Sequence, residues 1–385
     1  MKSLEGKVIL IGVTGSIAAV ETVKLVHELK RRGATVHCVM TEAACKIIHP
    51  NALEYATGNP VITQLTGNVE HVAFLGREEG AADLLLIAPC TANTIGKVAH
   101  GIDDTPVTTC AVTALGAGKP VVFVPAMHES MYSHPAIAEN LDRLRELGHI
   151  VPPRVEEGKA KLAEVDEIVL VVERLVSEGE LRHKRVVITS GPTMEALDPI
   201  RVLTTRSSGR TGRELAYEAF RRGANVTIVH NGDVKLIDQV CVESAAEMIQ
   251  AVLAELEKGC DIFINAAALS DYTVDKRNKK IRSGQELTLK LKNVPKLTDI
   301  VRAKYPHLFI VCFKAETNST PEALVQSARS LPVDLVVAND VTFRGMGTTD
   351  NEIYIVNSDV ERHCGDKAFL AGKIISAIVR QMNGI

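Results

Sequence analysis

One folding unit is written twice in this chain. Val8-Ile9-Leu10-Ile11-Gly12-Val13-Thr14-Gly15-Ser16 leads into a helical pattern that closes on Arg31-Arg32-Gly33-Ala34-Thr35-Val36. In the second half Val186-Val187-Ile188-Thr189-Ser190-Gly191-Pro192-Thr193 leads into one that closes on Arg221-Arg222-Gly223-Ala224-Asn225-Val226. Each copy reads as a buried strand, a Gly/Ser/Thr turn, a helix and a second strand. Free N–H groups at such a turn, beside the positive end of a helix dipole, suit a phosphate, and glycine lets the backbone approach it. Two openings imply two phosphate-bearing ligands.

At 385 residues the chain exceeds one ordinary core, and with 46% apolar and 24% charged residues both halves can fold. A net charge of -3 with dispersed basic residues argues against a nucleic-acid partner. The eight cysteines include no C-x-x-C pair, which reads as reduced core thiols of a cytosolic protein and not as a disulfide frame or zinc site. No signal-peptide pattern opens the chain, and no apolar run nears the ~18 residues of a membrane span. The expectation is a soluble, cytoplasmic protein with no membrane partner.

Strand-like runs at 7–13, 34–40, 83–89 and 119–124 alternate with helical patterns such as Ile17, Val20, Val23 and Leu29, spaced for one buried face. A helix from about Glu164 to Glu178 precedes the charged stretch Gly179–Arg185, where the domain boundary is expected. Further runs fall at 185–189, 226–229, 260–265, 308–313, 334–338 and 353–357. The fold class is α/β: two Rossmann-like domains, 1–178 and 183–385, with mainly parallel sheets. The polar stretch Asp271–Arg282 followed by the alternating Glu286–Leu291 predicts a mobile lid ending in a β-strand.

Ala88-Pro89-Cys90-Thr91-Ala92-Asn93-Thr94 sits where a parallel strand gives way to a helix, so its Thr and Asn can cap the helix or meet a ligand. His128-Glu129 lacks a second histidine at helical spacing and does not read as a metal site. In the second half, Ser207-Ser208-Gly209 opening a helix is a plausible anion nest. There is no G-x-G-x-x-G, and no acidic residue ends the second strand, which argues against dinucleotide redox chemistry. Asp271 ends a buried strand in a good place for a Mg2+ ligand beside a triphosphate. Lys280 could neutralise charge at an α-phosphate, or belong with Lys276, Arg277, Lys279 and Arg282 to a solvated loop.

Four motifs in order, Gly15-Ser16-Ile17-Ala18-Ala19, the isolated His71, Ala88–Thr94 and Pro125-Ala126-Met127, resemble the flavin-containing cysteine decarboxylases. The resemblance covers residues 1 to about 175. It implies that Gly15, Ser16 and Ile17 hold an FMN phosphate with Thr41 nearby, that His71 is the general base, that Asn93 binds the substrate carboxylate, and that Met127 lies beside substrate and flavin. Decarboxylating a cysteine amide leaves a carbanion with nowhere to delocalise; oxidising the thiol to a thioaldehyde supplies the missing electron sink. The family's bacterial members carry a flap cysteine that serves as the last acid, but Glu156-Glu157-Gly158-Lys159-Ala160-Lys161-Leu162 has none, leaving Lys159 or Glu156 as candidates. His128 replaces the usual Asn after Pro-Ala-Met.

Gly191-Pro192-Thr193, Asp198-Pro199-Ile200-Arg201, Ser207-Ser208-Gly209-Arg210, Ala267–Tyr272, Lys280-Ile281-Arg282, Phe313–Thr317 and Ala338–Val341 resemble the phosphopantothenate-cysteine ligase domain. The whole chain is thus similar to the bifunctional decarboxylase and ligase family of coenzyme A synthesis. That resemblance implies a nucleotide site of Ser208, Gly209, Asn265, Ala266, Ala267, Asp271, Lys280, Pro295, Lys296, Leu297 and Phe313, with Lys280 stabilising formation of an acyl-nucleotide. The implied substrates are 4'-phosphopantothenate, cysteine and a nucleoside triphosphate, CTP being favoured over ATP, with Mg2+. Homo-oligomers are implied, with trimeric decarboxylase and dimeric ligase contacts. Thr205, Ser327 and Leu331 stand where the ligase family has Asn, Lys and Lys. A flavin prenyltransferase in the first domain and a non-catalytic binding relative are the alternatives.

Overall fold

A computed structural model of the chain describes residues 2–78, 80–284, 286–342 and 347–384. It divides into two compact units, Met1–Glu178 and Gly179–Ile385.

In the first unit six strands pair in the spatial order Val61–Ile62, Thr35–Met40, Val8–Val13, Leu84–Cys90, Val121–Pro125 and His149–Ile150. All five pairings are parallel. Helices on both sides bury the strands, so Ile9, Leu10, Leu85, Leu86 and Phe123 have no exposed surface. Each such side chain contributes roughly 1.5–3 kcal/mol of burial, which is why the strands read as unbroken apolar runs. Helix Thr22–Arg31 carries basic residues in its last turn and is followed by Gly33 at a φ of +101°. Its counterpart Arg210–Arg221 is followed by Gly223 at +96°. The repeated Arg-Arg-Gly is therefore a helix stop: cations meet the negative dipole end, and glycine takes the left-handed turn into the next strand.

One expectation about the first helix fails. Ile17 is 77% exposed and Val20 48% exposed, because Ile17–Glu21 is a 3-10 turn and the α-helix begins only at Thr22. With three residues per turn, Ile17 and Val20 share a face that points outward, while Leu25, Val26 and Leu29 take the core.

The second unit has an eight-stranded sheet in the order Asp238–Cys241, Asn225–His230, Arg185–Thr189, Ile262–Asn265, Phe309–Glu316, Leu335–Asp340, Asp350–Val356 and Val360–Asp366. The first six strands run parallel and the last two close the edge as an antiparallel hairpin. Helices Arg210–Arg221 and Lys367–Met382 cover one face. Helices Ala245–Glu257 and Leu297–Lys304 cover the other.

The polar stretch after Asp271 starts as a short strand, Tyr272–Val274, paired with Leu291–Asn293. The strand foreseen at Glu286–Leu291 thus begins only at its last residue. Leu287 and Leu289 are 41% and 37% exposed and have no partner strand among the described residues, so alternation alone does not make a strand there. No helix among the described residues is long and apolar enough to cross a membrane. None of the eight cysteines is in a disulfide; Cys38, Cys90, Cys110 and Cys312 are buried, but Cys241 and Cys364 are exposed and so are not core thiols.

Candidate active sites

Both sheets reverse their strand order beside their first strand, and a crevice opens there above the carboxyl ends of the strands. In the first unit Thr14 ties the crevice together: its hydroxyl donates to the Pro89 carbonyl at 2.8 Å and accepts the Thr91 N–H at 3.0 Å. In the second unit Thr189 does the same work, its hydroxyl donating to Asn265 Oδ1 at 2.8 Å and accepting the Ala267 N–H at 3.2 Å. Each threonine ties together the loops that leave two neighbouring strands, although in the second unit those loops lead first to short strands, Met194–Ala196 and Tyr272–Val274, and not straight into helices. Both lie in motifs the sequence displays, but only their cross-turn bonds show this role.

A cleft of about 520 Å³ above the first sheet gathers Gly15, Ser16, Thr41, Asn93 and Met127. Ile17 lines an adjoining cleft of about 700 Å³ that shares Ser16, Ala126 and Met127 with the first. Ser16 and Thr41 are both helix caps, accepting the N–H groups of Ala18 at 3.4 Å and Ala44 at 3.2 Å. A hydroxyl that accepts as a cap still has its own O–H to donate, so capping and phosphate binding are compatible here. Lys46 and Lys97 line the same cleft, each paired with a carboxylate, Glu42 and Asp104. Gly15 is demanded by packing: a Cβ there would lie 2.5 Å from the Ala43 Cβ. Between Thr91 and Asn93 the structure divides the work. Thr91 caps helix Ala92–Ala99, and Asn93 is exposed to the cleft.

His71 stands apart. It lies on helix Glu70–Leu75, which packs against helix Pro106–Gly116, and it lines neither cleft. Its Nδ1 is buried without a hydrogen-bond partner. A buried ring nitrogen left unpaired costs free energy and marks a place where a partner is missing. Val69 and Val72, on either side, are 50% and 37% exposed.

The flap is a hairpin. Arg154–Glu156 pairs with Lys159–Lys161 around Glu157 and Gly158, and the second strand also pairs with Met127–His128. Lys159 lines the larger cleft, whereas Glu156 is ion-paired with Lys161 at 3.2 Å and with Arg154 at 3.9 Å.

A cleft of about 510 Å³ crowns the second sheet. It is lined by Ser208, Gly209, Asn265, Ala266, Ala267, Asp271, Pro295, Lys296, Leu297 and Phe313, which is every expected nucleotide residue except Lys280. Close glycine packing builds its floor, since a Cβ on Gly212 would lie 2.5 Å from the Ser190 side chain. Burial pushes the Cys312 thiol in this cleft up to about 11, so it is no nucleophile at neutral pH. Lys280 is exposed, and its neighbour Ile281 is tied instead to the loop of Asp198 and Arg201. Asp271 forms an ion pair with Lys296 at 2.5 Å, and no group of three metal-ligating side chains occurs among the described residues. One exposed, already paired carboxylate does not by itself make a metal site. Lys367 also reaches the cleft, a residue that no sequence motif singled out.

Comparison with known proteins places both units. Residues 1–177 match the family model described as Flavoprotein, and residues 181–382 match the DNA/pantothenate metabolism flavoprotein C-terminal domain. A coenzyme A biosynthesis bifunctional protein CoaBC from Thermococcus kodakarensis is 48% identical over 368 residues, covering 93% of this chain and 91% of the relative. One from Methanocaldococcus jannaschii is 38% identical over 388 residues, covering 98% and 94%. One from Escherichia coli K12 is 36% identical over 387 residues, covering 95% and 93%.

Proposed function

The chain belongs to the family of bifunctional coenzyme A biosynthesis proteins, and we propose that its two units carry the two activities in reverse order along the chain. It is a decarboxylase and ligase acting on phosphopantothenate and cysteine. The second unit acts first, joining 4'-phosphopantothenate to cysteine, and the first unit then decarboxylates the product to 4'-phosphopantetheine. The observation that carries the ligase half is the gathering of the nucleotide residues over the second sheet. Relatives that span both units leave no room for a flavin prenyltransferase or a non-catalytic protein as the simpler reading.

In the ligase cleft the phosphopantothenate carboxylate attacks the α-phosphate of the nucleotide and pyrophosphate leaves. The cysteine amine then attacks the acyl carbon and releases the nucleoside monophosphate. CTP is the favoured nucleotide. Asn265 and the Ala266–Ala267 turn sit at the strand end, where charge builds on the phosphate, and Thr189 holds that turn by donating to Asn265 Oδ1 and accepting the Ala267 N–H. Lys280 has to swing in from the Asp198 loop to meet the α-phosphate, so the polar segment acts as a lid that closes on the nucleotide. Asp271 is the residue that would contact a Mg2+ brought in by the triphosphate, once released from Lys296, and the ion would offset charge on the phosphates.

The first cleft fits FMN: cap hydroxyls, a glycine turn and two lysines surround the place where its phosphate would lie. Bound FMN supplies the electron acceptor that makes the substrate's thiol carbon a sink for the carboxylate electrons. Asn93 holds that carboxylate by its amide, and Met127 packs beside the substrate chain. His71 takes the thiol proton on its ring. Since His71 lines neither cleft of its own copy, it serves the cleft of a neighbouring copy, and the exposed Val69 and Val72 belong to the surface that brings the copies together. Exposed Leu287, Leu289, Leu291 and Ile200 suggest a corresponding contact between ligase units.

The test is direct. Purified protein is incubated with FMN, Mg2+, cysteine, 4'-phosphopantothenate and either CTP or ATP, and products are read by mass spectrometry. Phosphopantetheine with release of CMP or AMP establishes both steps and names the nucleotide. Phosphopantothenoylcysteine alone would overturn the decarboxylase half, and no product would overturn the whole reading.

A further inference from the structure

We propose that Glu195 is a positioning residue for the ligase step, an inference that rests on the ligase reading above: through Thr273 it fixes the near end of the polar segment that carries Lys280. With Asp198 gripping the far end at Ile281, the segment is a strap held at both ends.

Glu195 lies on the strand Met194–Ala196, which pairs with Val202–Thr204, and is only 4% exposed. Its Oε1 accepts the Ala245 N–H at 2.9 Å, at the first turn of helix Ala245–Glu257, and its Oε2 accepts the Thr273 hydroxyl at 2.7 Å. The positive end of that helix dipole offsets the charge of so dry a carboxylate. Yet the helix does not need Glu195 as a cap. Ser244 already caps that terminus, accepting the Glu247 N–H at 3.3 Å, and Glu247 accepts the Ser244 N–H in return at 3.1 Å. Burying a carboxylate is costly, and one that the helix can do without is explained by what its other oxygen holds.

Thr273 is one of several points at which the segment is fastened. Before it, the Gly191 carbonyl accepts the Ala268 N–H at 2.9 Å, and the Thr193 hydroxyl accepts the Ser270 N–H at 2.9 Å. Beyond it, the Leu197 carbonyl accepts the Arg277 N–H at 2.9 Å, and the Asp198 carboxylate accepts the Ile281 N–H at 3.0 Å. Residues 191–198 thus carry the segment from the cleft, where Ala268, Ser270 and Asp271 line the wall, out to Ile281. Two of these holds are carboxylates, Glu195 and Asp198, and Lys280 lies between the residues they grip.

A strap fixed at both ends delivers its charge to one place. Freed at one end it samples many, and the effective concentration of the Lys280 ammonium at the phosphate falls. Hydrogen bonds to an ionised acceptor are the stronger ones, so the middle hold between Leu197 and Arg277, a bond between neutral backbone groups, is the one that gives way when the strap bends inward. The same lacing restrains an exposed run of cations, Lys276, Arg277, Lys279, Lys280 and Arg282. Between the grips at Thr273, Arg277 and Ile281 the only free stretches are 274–276 and 278–280. Trypsin cuts after such residues once the chain opens locally, and so reads how firmly the strap is held.

The full chain and its variants are compared by steady-state ligation and by limited trypsin digestion, with fragments read by mass spectrometry. Thr273→Val keeps the side chain's shape and the Ala245 bond and removes only the tie. It should lower ligase kcat about 10-fold with nucleotide KM unchanged, and speed cleavage between Lys276 and Arg282 about 10-fold. Decarboxylation of supplied phosphopantothenoylcysteine should stay at the wild-type rate. Glu195→Gln can accept from Ala245 with its oxygen and donate to the Thr273 hydroxyl with its amide, so it should recover most of kcat, whereas Glu195→Ala should lose at least as much as Thr273→Val. If Glu195→Ala fails to fold, Thr273→Val and Glu195→Gln decide. Wild-type kcat in Thr273→Val, an unchanged cleavage rate, or a rise in nucleotide KM with kcat kept overturns the proposal. So does a kcat loss matched by an equal loss of decarboxylation. A wild type that turns over no nucleotide sinks the ligase reading by itself, and the digestion still judges the tie: faster cleavage of Thr273→Val establishes it, and equal cleavage overturns it.

Discussion

The Asp198 carboxylate accepts the backbone N–H of Ile281 at 3.0 Å and so pins the residue that follows Lys280. The same carboxylate accepts the N–H groups of Ile200 and Arg201, each at 2.8 Å, and the Arg201 guanidinium at 2.7 Å. Arg201 in turn donates to the Ile281 carbonyl at 3.0 Å. In the proposed mechanism this anchor would set the pivot about which the Lys280 segment reaches the nucleotide. Asp198→Ala should therefore lower ligase kcat by about 10- to 100-fold while decarboxylation of supplied phosphopantothenoylcysteine is unchanged. Lys280→Gln, which removes the charge itself, should cost about 100- to 1000-fold in kcat with nucleotide KM kept. Full ligase turnover in Asp198→Ala would show that the anchor plays no part in placing Lys280.

The same carboxylate makes stability depend on acid. The Ile281 N–H first, and then the Ile200 and Arg201 groups, hold the Asp198 carboxyl far below the usual carboxylate range. A group whose folded pKa is depressed stabilises the fold above its unfolded pKa, about 3.9, and that stability is lost as pH falls through the folded value. Wild type should therefore be more stable than Asp198→Asn at pH 7, and the gap should shrink below about pH 4. Thermal melts at neutral and acid pH measure it; a gap that stays constant with pH would refute the linkage.

Gly15 has two reasons to be glycine, and they separate experimentally. A Cβ there would meet the Ala43 Cβ at 2.5 Å, so Gly15→Ala should cost about 1–3 kcal/mol by overpacking and lower Tm. Pairing it with Ala43→Gly removes the clash. If the double variant regains stability but still loses yellow FMN absorbance, the turn itself is needed by the phosphate; if flavin returns too, packing was the whole reason.

These residues show what a sequence makes legible. The strands of both sheets were readable because parallel strands covered on both faces must be apolar throughout, and Arg31-Arg32-Gly33 with Arg221-Arg222-Gly223 marked the same helix stop twice. Ile17 and Val20 misled because a 3-10 turn and an α-helix share the i, i+3 spacing but then diverge in phase. Leu287 and Leu289 alternate like a strand yet have no partner strand among the described residues, a fact of tertiary structure. Lys367 carried no signal at all, since nothing local distinguishes a buried lysine from a surface one at the first turn of a helix.

The proposed mechanism gives His71 and Asn93 to one reaction, yet His71 lines neither the cleft of Asn93 nor the adjoining one that Met127 shares. If each active site borrows His71 from a neighbouring copy, His71→Asn and Asn93→Ala should each abolish decarboxylation, and mixing the two after dissociation and reassembly should restore part of it. Ligase activity of both variants serves as the folding control. Mixed oligomers with no recovered activity would mean that both residues act within one chain.

In the proposed decarboxylation the flap hairpin would supply the last proton, and the geometry favours Lys159 over Glu156. Glu156 is engaged by Lys161 and Arg154, whereas Lys159 opens onto the cleft that holds Met127. Its ammonium can donate a proton to the enethiolate carbon in the final reduction and regain it from water, with the flap hairpin holding it over the substrate. Lys159→Met should therefore leave FMN binding and ligation intact and release the oxidised, unsaturated thiol in place of phosphopantetheine, with the loss in complete turnover about 100-fold or more. Glu156→Gln should complete the reaction normally. Mass spectrometry distinguishes the saturated from the unsaturated product, and saturated product from Lys159→Met at the wild-type rate would move the acid elsewhere on the chain.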